Sequence, residues 1–375
     1  MQMTPHDRLM AALRGEEVDR LPWSPNLAYW WDTQPEDLQD RGRFRFLKEI
    51  GADPLIRGST TAFVCSDVRG LHEYPTRMHL PIPGCETLQL VKGREERTTY
   101  CTPVGTLTQL SRYSPEGRTR FLVERPVKTA EDYQILTYLF ERMVIRPDYG
   151  PVKESMAHLG QEGLLIPLIS PVQKTPFQAL VEHYVGTQQL VYDLADHPDV
   201  VESLLEVMSQ RVLEAVMISA ESPAEGFISW EDSSTTNISP KLFARYIAPE
   251  IDRWGQVLHA AGKILLHHAC GHVRHLLLYL AEEEIDVVES LSPPPTGDVE
   301  VWEAQEILSP RVGIVGGIEP TQLLYLDLEH LGEYVERLLD RIQSHHYVLA
   351  NSDSCPPGVS IEKFRLITEI VRNCC

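Results

Sequence analysis

No stretch of this 375-residue chain comes near the roughly 20 consecutive apolar residues that a membrane-crossing helix requires, so none is expected. Its opening, Met1-Gln2-Met3-Thr4-Pro5, lacks a charged segment followed by an apolar one. No secretory signal is read there, and a cytoplasmic location is expected. Positive charge is scarce: 34 Lys and Arg face 54 Asp and Glu, for a net charge of -20. That balance argues against nucleic acid or an acidic membrane surface as a partner. Cysteine is sparse as well. Seven residues, an odd number spread over the whole length, do not form a disulfide framework and suit a reducing compartment. There is no C-x-x-C pair, no G-x-G-x-x-G and no Walker sequence, which removes the glycine-rich phosphate cradles of open doubly wound sheets.

What is present is an ordinary soluble composition, 43% hydrophobic and 23% charged, enough to bury a large core. Thr4 reads as an N-cap, Pro5 as the first helical residue and Gly15 as the stop of a helix packing on Leu9, Met10 and Leu13. Short apolar runs begin near 21, 53, 164, 226, 263, 286, 312 and 346. Most of them are followed by stretches with helical periodicity, the longest spanning Asp199 to Ala220 and Thr321 to Ile342. Residues 60 to 125 differ, with Gly and Pro at short intervals and alternating segments such as Thr106-Leu107-Thr108-Gln109-Leu110. This region reads as an inserted β-hairpin region after the second strand and not as a domain of its own. Eight strand-helix units predict an α/β fold, a (β/α)8 TIM barrel, here as a single domain over 1–375.

The chemistry concentrates at His267-His268-Ala269-Cys270-Gly271, the end of the buried run Lys263 to Leu266. Side chains two apart on a strand share a face, so His268 and Cys270 aim an imidazole and a thiol at one point while His267 points away. A barrel gathers its reactive groups at the strands' C-terminal ends. There the chain offers Glu231 and Asp232, then Glu289, then Asn351, Asp353 and Cys355. His268, Cys270 and Cys355 together make a donor set that suits zinc with a position left open, and Glu289 is a candidate fourth ligand in the resting state. Glu231, Asp232 and Asp353 are candidates for orienting or protonating a leaving group. Tyr29, Trp30, Trp31, Trp230 and Asn351 are candidates for lining a substrate pocket. Cys65, Cys85 and Cys101 read as plain thiols of the insertion, and Cys374-Cys375 as a frayed tail.

The order of His268-x-Cys270-Gly271, Asp286 to Glu289, Gly316-Gly317-Ile318-Glu319-Pro320 and Cys355 before a Ser360-led helix resembles the uroporphyrinogen decarboxylase superfamily. The opening Arg8-Leu9-Met10-Ala11-Ala12-Leu13-Arg14-Gly15, then Asp19-Arg20-Leu21-Pro22, is similar too, as are Thr102-Pro103-Val104-Gly105-Thr106 and Ser239-Pro240. Decarboxylases of that superfamily bind their carboxylate-rich substrate through an early arginine-bearing segment and use no metal. Here the corresponding stretch, Pro25 to Asp32, holds no arginine. The other branch, the corrinoid-linked methyltransferases, carries His-x-Cys and a distant Cys as zinc ligands. The resemblance to it implies His268, Cys270, Cys355 and Glu289 as the metal set.

It further implies methyl transfer between a small molecule and the cobalt of a corrinoid. In one direction zinc polarises a methyl ether, an aryl ether being favoured by the aromatics. In the other, as in methylcobalamin:thiol (coenzyme M type) transferases, zinc activates a thiol. No D-x-H-x-x-G sequence is present, so the corrinoid is expected on a separate partner protein. The competing readings are a metal-free decarboxylase-like lyase and a binding or sensor protein on a retained barrel.

Overall fold

The computed structural model describes residues 2–68, 79–115, 119–342 and 344–373; the Cys374-Cys375 pair lies outside them. Its strands, in chain order, are β1 (Leu55–Thr61), β2 (Phe63–Cys65), β3 (Glu86–Lys92), β4 (Glu95–Thr102), β5 (Gly105–Ser114), β6 (Thr119–Glu124) and β7 (Ile145–Pro147). They continue with β8 (Leu164–Leu168), β9 (Gly226–Ser229), β10 (Ile264–His268), β11 (Val287–Leu291), β12 (Gly313–Ile318) and β13 (Tyr347–Asn351). By internal contacts the chain forms two compact units, residues 1–59, 151–168 and 223–375 in one, and 60–150 and 169–222 in the other.

The first unit is built on a curled parallel sheet in the order β1-β8-β9-β10-β11-β12-β13, the TIM-barrel arrangement. The eighth position is taken by the extended segment Pro22–Ser24. Ser24 N–H donates to Leu349 O (2.9 Å), and Leu349 N–H donates to Pro22 O (3.0 Å). On its other side, Asp53 N–H donates to Trp23 O (2.7 Å) and Leu55 N–H to Ser24 Oγ (3.0 Å). The apolar run near 21 therefore acts as a strand with little more than one bridge, Trp23 to Leu349.

Alternate strand residues fill the interior: Leu55, Leu164, Ile166, Leu168, Ile228, Ile264, Leu266, Val287, Val315, Val348 and Ala350 form one buried cluster. Leu9, Met10, Ala12 and Leu13 of helix Pro5–Leu13 join this cluster. That helix starts as its residues predict, with Asp7 N–H donating to Thr4 Oγ1 (3.1 Å).

Two helices depart from their sequence pattern. The stretch from Thr321 to Ile342 is split into Pro320–Tyr325 and Leu328–Leu339. Asp327 caps the second piece by accepting His330 N–H (2.9 Å), and this local bond outcompetes continuation of the helix. The helical stretch after Ser239 is likewise not uniform: a wide π turn, Phe243–Ile247, precedes the helix Ala248–Ala260.

The second unit holds the inserted β region, an antiparallel sheet in the order β3-β4-β5-β6, together with the antiparallel pair β2-β7. Its helices include Ala130–Glu141, opened by a capping box between Thr129 and Asp132, and the long Pro198–Ala220. Tyr133 donates to Asp193 (2.7 Å) between Ala130–Glu141 and Thr187–Asp196, in a position closed to solvent.

Candidate active site

The inward-facing rows that build the barrel core turn polar at their C-terminal ends. On β10 the row Ile264, Leu266 continues to His268; on β11 Val287 continues to Glu289; beyond β9 Ile228 continues to Trp230 and Asp232. Parallel register sets His268 directly beside Glu289. Strand alternation thus delivers these groups to one mouth because the core residues two places earlier point inward.

Glu289 is fully buried and has both oxygens engaged. Oε2 lies 2.5 Å from His268 Nδ1, and Oε1 accepts from Arg57 Nη1 at 2.5 Å. His268 Nε2 is left facing Asp232 Oδ1 at 3.2 Å, and the Cys270 thiol donates to the same carboxylate at 3.7 Å. The donor atoms of Asp232, His268 and Cys270 all lie within 4.8 Å of one another, the group among the described residues able to hold a metal ion. Glu289, read from sequence as a resting-state ligand, sits behind the histidine and not in this group. Cys355 also lies outside it: its thiol is buried and 3.7 Å from Pro356 O. Asp232, read from sequence as a catalytic acid, takes a place in the donor set.

The electrostatics call for positive charge at this point. Burial opposes a charge on His268, yet Glu289, Cys270 and Asp232 outweigh it and raise its pKa well above the usual range. Burial likewise works to raise Glu289, but Arg57 and His268 hold it ionised below its ordinary value. The Cys270 thiol is pushed up by burial and by Asp232 and Asp353 against the pull of His268. An imidazole with its second nitrogen held by a carboxylate, a thiol and a carboxylate are ligands zinc accepts, so the donor set fits that ion.

The rim is strained and tied down. Asp232 (φ 52°), Ser290 (φ 70°) and Asp353 (φ 57°) all adopt the left-handed region that side chains avoid. Asp353 N–H donates to Ser290 Oγ (2.7 Å), joining the loop after β13 to the end of β11. Asn351 accepts from Asn26 N–H (2.9 Å) and donates to Asn26 O (3.1 Å) and Asp353 O (2.9 Å), so it fastens loops together.

Trp230 sets its ring edge-on to His268, with centroids 5.1 Å apart. Room for it comes from Gly58 (φ 61°), where a Cβ would fall 2.4 Å from Trp230 Cζ2. The other aromatics lie elsewhere. Trp30 and Trp31 belong to a short helix and pack against Phe46, Trp30 also against Phe364, while Trp30 Nε1–H donates to Val359 O (2.6 Å). Tyr29 is half exposed. Glu231 is fully buried, accepting from Ser229 Oγ at 3.2 Å.

His267 points outward from the barrel, as alternation requires, into a second buried polar group. Its Nε2 lies 2.9 Å from Ser233 Oγ, and its Nδ1 lies 3.5 Å from a Glu283 oxygen. Burial, then His268, push His267 down to about 3 against the pull of Asp232. Burial, then Asp252 and Glu231, raise Glu283 well above the carboxylate range despite Arg311. The imidazole is therefore neutral near pH 7, and burial favours the protonated, uncharged form of the carboxyl beside it.

Arg57, Gly58 and Ser290 were not singled out from sequence. For Arg57 a signal exists: it stands two places after the inward Leu55 on a buried strand, where a charge demands a partner.

A model of the uroporphyrinogen decarboxylase family matches residues 115–374. The chain belongs to the uroporphyrinogen decarboxylase family. Among solved structures, this family member is similar to a methyltransferase from Methanosarcina mazei, at 13% identity and a TM-score of 0.60, covering 99% of both chains. It also matches a B12-independent methionine synthase from Shewanella sp. W3-18-1 at 12% identity and a TM-score of 0.46, covering 94% of this chain and 98% of that one. No curated protein matches the sequence. At such identities the likeness speaks for the fold, and the family member's chemistry rests on its own site.

Proposed function

We propose that this protein is a zinc-dependent methyltransferase that moves a methyl group between a small molecule, best an aryl methyl ether, and the cobalt of a separate corrinoid protein. The observation that carries the reading is the convergence of Asp232, His268 and Cys270 within 4.8 Å, with His268 oriented from behind by Glu289. The Methanosarcina mazei neighbour, itself a methyltransferase, agrees with it. Zinc bound there supplies Lewis acidity that makes the ether oxygen a better leaving group.

The chain's own residues do the rest. Glu289 accepts from His268 Nδ1 and so presents Nε2 to the ion, while Arg57 keeps Glu289 ionised and in place. Trp230, edge-on to His268, offers its ring as a wall for a flat substrate. Asp353, exposed on the strained rim near Cys270, orients the leaving oxygen or returns a proton to it. Asp232 completes the protein ligands, a place the family resemblance gives to Cys355.

Metal analysis and a methyl-transfer assay test this together. Purified protein is expected to hold about one zinc per chain and to lose it in His268→Ala and Cys270→Ala. Cys355→Ala keeps its zinc if Asp232 is the third ligand and loses it if Cys355 is. An aryl methyl ether should be demethylated only when a reduced corrinoid protein is present. Zinc-loaded protein that methylates none of a panel of corrinoid proteins would end the proposal.

A further inference from the structure

The inserted sheet has two edges of different character. At β6 the edge is irregular and charged, with a bulge opposite Leu110 and Ser111, and its Arg120 and Glu124 pair with Glu96 and Arg97. At β3 there is no bulge, and among the described residues no ion pair to the neighbouring strand. All seven residues, Glu86 to Lys92, are exposed, with Leu88, Leu90 and Val91 among the most exposed apolar side chains of the chain. Its register with β4 is unbroken, and among the described residues no strand pairs its other side. A regular edge with three exposed apolar side chains, without proline or bulge, is a template for another strand. Natural sheets usually blunt such an edge.

The sequence of β3 states which strand. Pairing Glu86-Thr87-Leu88-Gln89-Leu90-Val91-Lys92 with a second copy of itself, antiparallel and full length, centres on Gln89. Each Glu86 then faces a Lys92, each Leu88 a Leu90 and each Thr87 a Val91. Opposite charges and apolar pairs directly across an antiparallel ladder are the favourable combinations. Among the described residues neither Glu86 nor Lys92 has an ion-pair partner within the chain. The Gly93-Arg94 turn joins Lys92 to Glu95, and counting from such a two-residue hairpin puts the amides of Thr87 and Val91 on the outer edge, where this register needs them. Charge permits the approach here. Residues 86–124 hold six Lys and Arg against five Glu, while the whole chain stands at -20.

We propose that β3 is the seam of a two-fold homodimer in which two four-stranded sheets join edge to edge into one of eight strands. The interface is isologous, the same seven residues on both sides. It is independent of the methyltransferase reading and uses none of the residues of that site.

Sedimentation velocity of the full chain over a range of concentrations tests it. The wild type is expected to be a dimer that dissociates on dilution. Leu90→Lys, at an exposed position that leaves the fold intact by circular dichroism, should raise the dissociation constant by about tenfold or more by removing both Leu88–Leu90 pairs. Glu86→Lys, which sets like charges opposite each other, should raise it about tenfold, and adding Lys92→Glu should restore it to within about twofold. A chain that stays monomeric at all concentrations overturns the proposal. So does a dimer that Leu90→Lys leaves unchanged, or a charge exchange that fails to rescue.

Discussion

His268 shows how much one residue's role depends on what stands behind it. Its ring is held at Nδ1 by Glu289, itself held by Arg57, so only Nε2 faces Asp232 and Cys270. Removing such a carboxylate from behind a metal-binding imidazole costs affinity without removing a ligand. Glu289→Gln is therefore expected to weaken zinc binding about 10- to 100-fold, read by competition with a chromophoric chelator, while the far-ultraviolet spectrum stays unchanged.

Glu283 gives a second residue-scale prediction, with pH as the variable. Burial raises its folded pKa, so above the ordinary carboxylate range the native state holds a proton that the unfolded chain has released. Stability therefore falls as pH rises from that range towards the raised folded value. Glu283→Gln keeps the neutral shape and abolishes this loss. Its melting temperature should match wild type near about pH 4 and exceed it as pH rises above the ordinary carboxylate range.

Among the elements, the segment Pro22–Ser24 is the least conspicuous and closes the barrel. It lacks the length to hold itself in place, and Asp53 supplies the anchorage. This buried carboxylate accepts from Arg8 (2.6 Å), from both terminal nitrogens of Arg20 (2.8 Å each) and from the Trp23 amide (3.3 Å). Helix Pro5–Leu13, the closing segment and the start of β1 thus share one ion-pair network. The opening pattern from Arg8 to Pro22 is explained by this network and not by substrate. Asp53→Ala strands buried guanidinium charge and should cost about 3 kcal/mol in urea unfolding. Asp32→Ala, which breaks an exposed pair with Arg43, should cost no more than about 0.5 kcal/mol. Equal losses in the two variants would refute the assignment of Asp53 as the anchor.

For the molecule as a whole, the net charge of -20 implies self-repulsion that salt screens. The melting temperature is expected to rise by a few degrees between about 10 mM and 200 mM sodium chloride, and a flat or falling trend would contradict this. The sequence alone determined the eight-unit barrel, the place of the inserted β region, the family and the pairing of His268 with Cys270. All of these follow from periodicity, turn chemistry and strand alternation, which act over a few residues. Only the tertiary structure decided that Asp232 joins that pair, that Glu289 and Arg57 stand behind it, and that Trp30 and Trp31 are core. Those facts depend on which strands become neighbours and how a left-handed turn re-aims a side chain, and a linear pattern carries neither. The sheet edge at β3 is the mixed case: its self-complementary order is written in seven letters, but its exposure is a property of the fold.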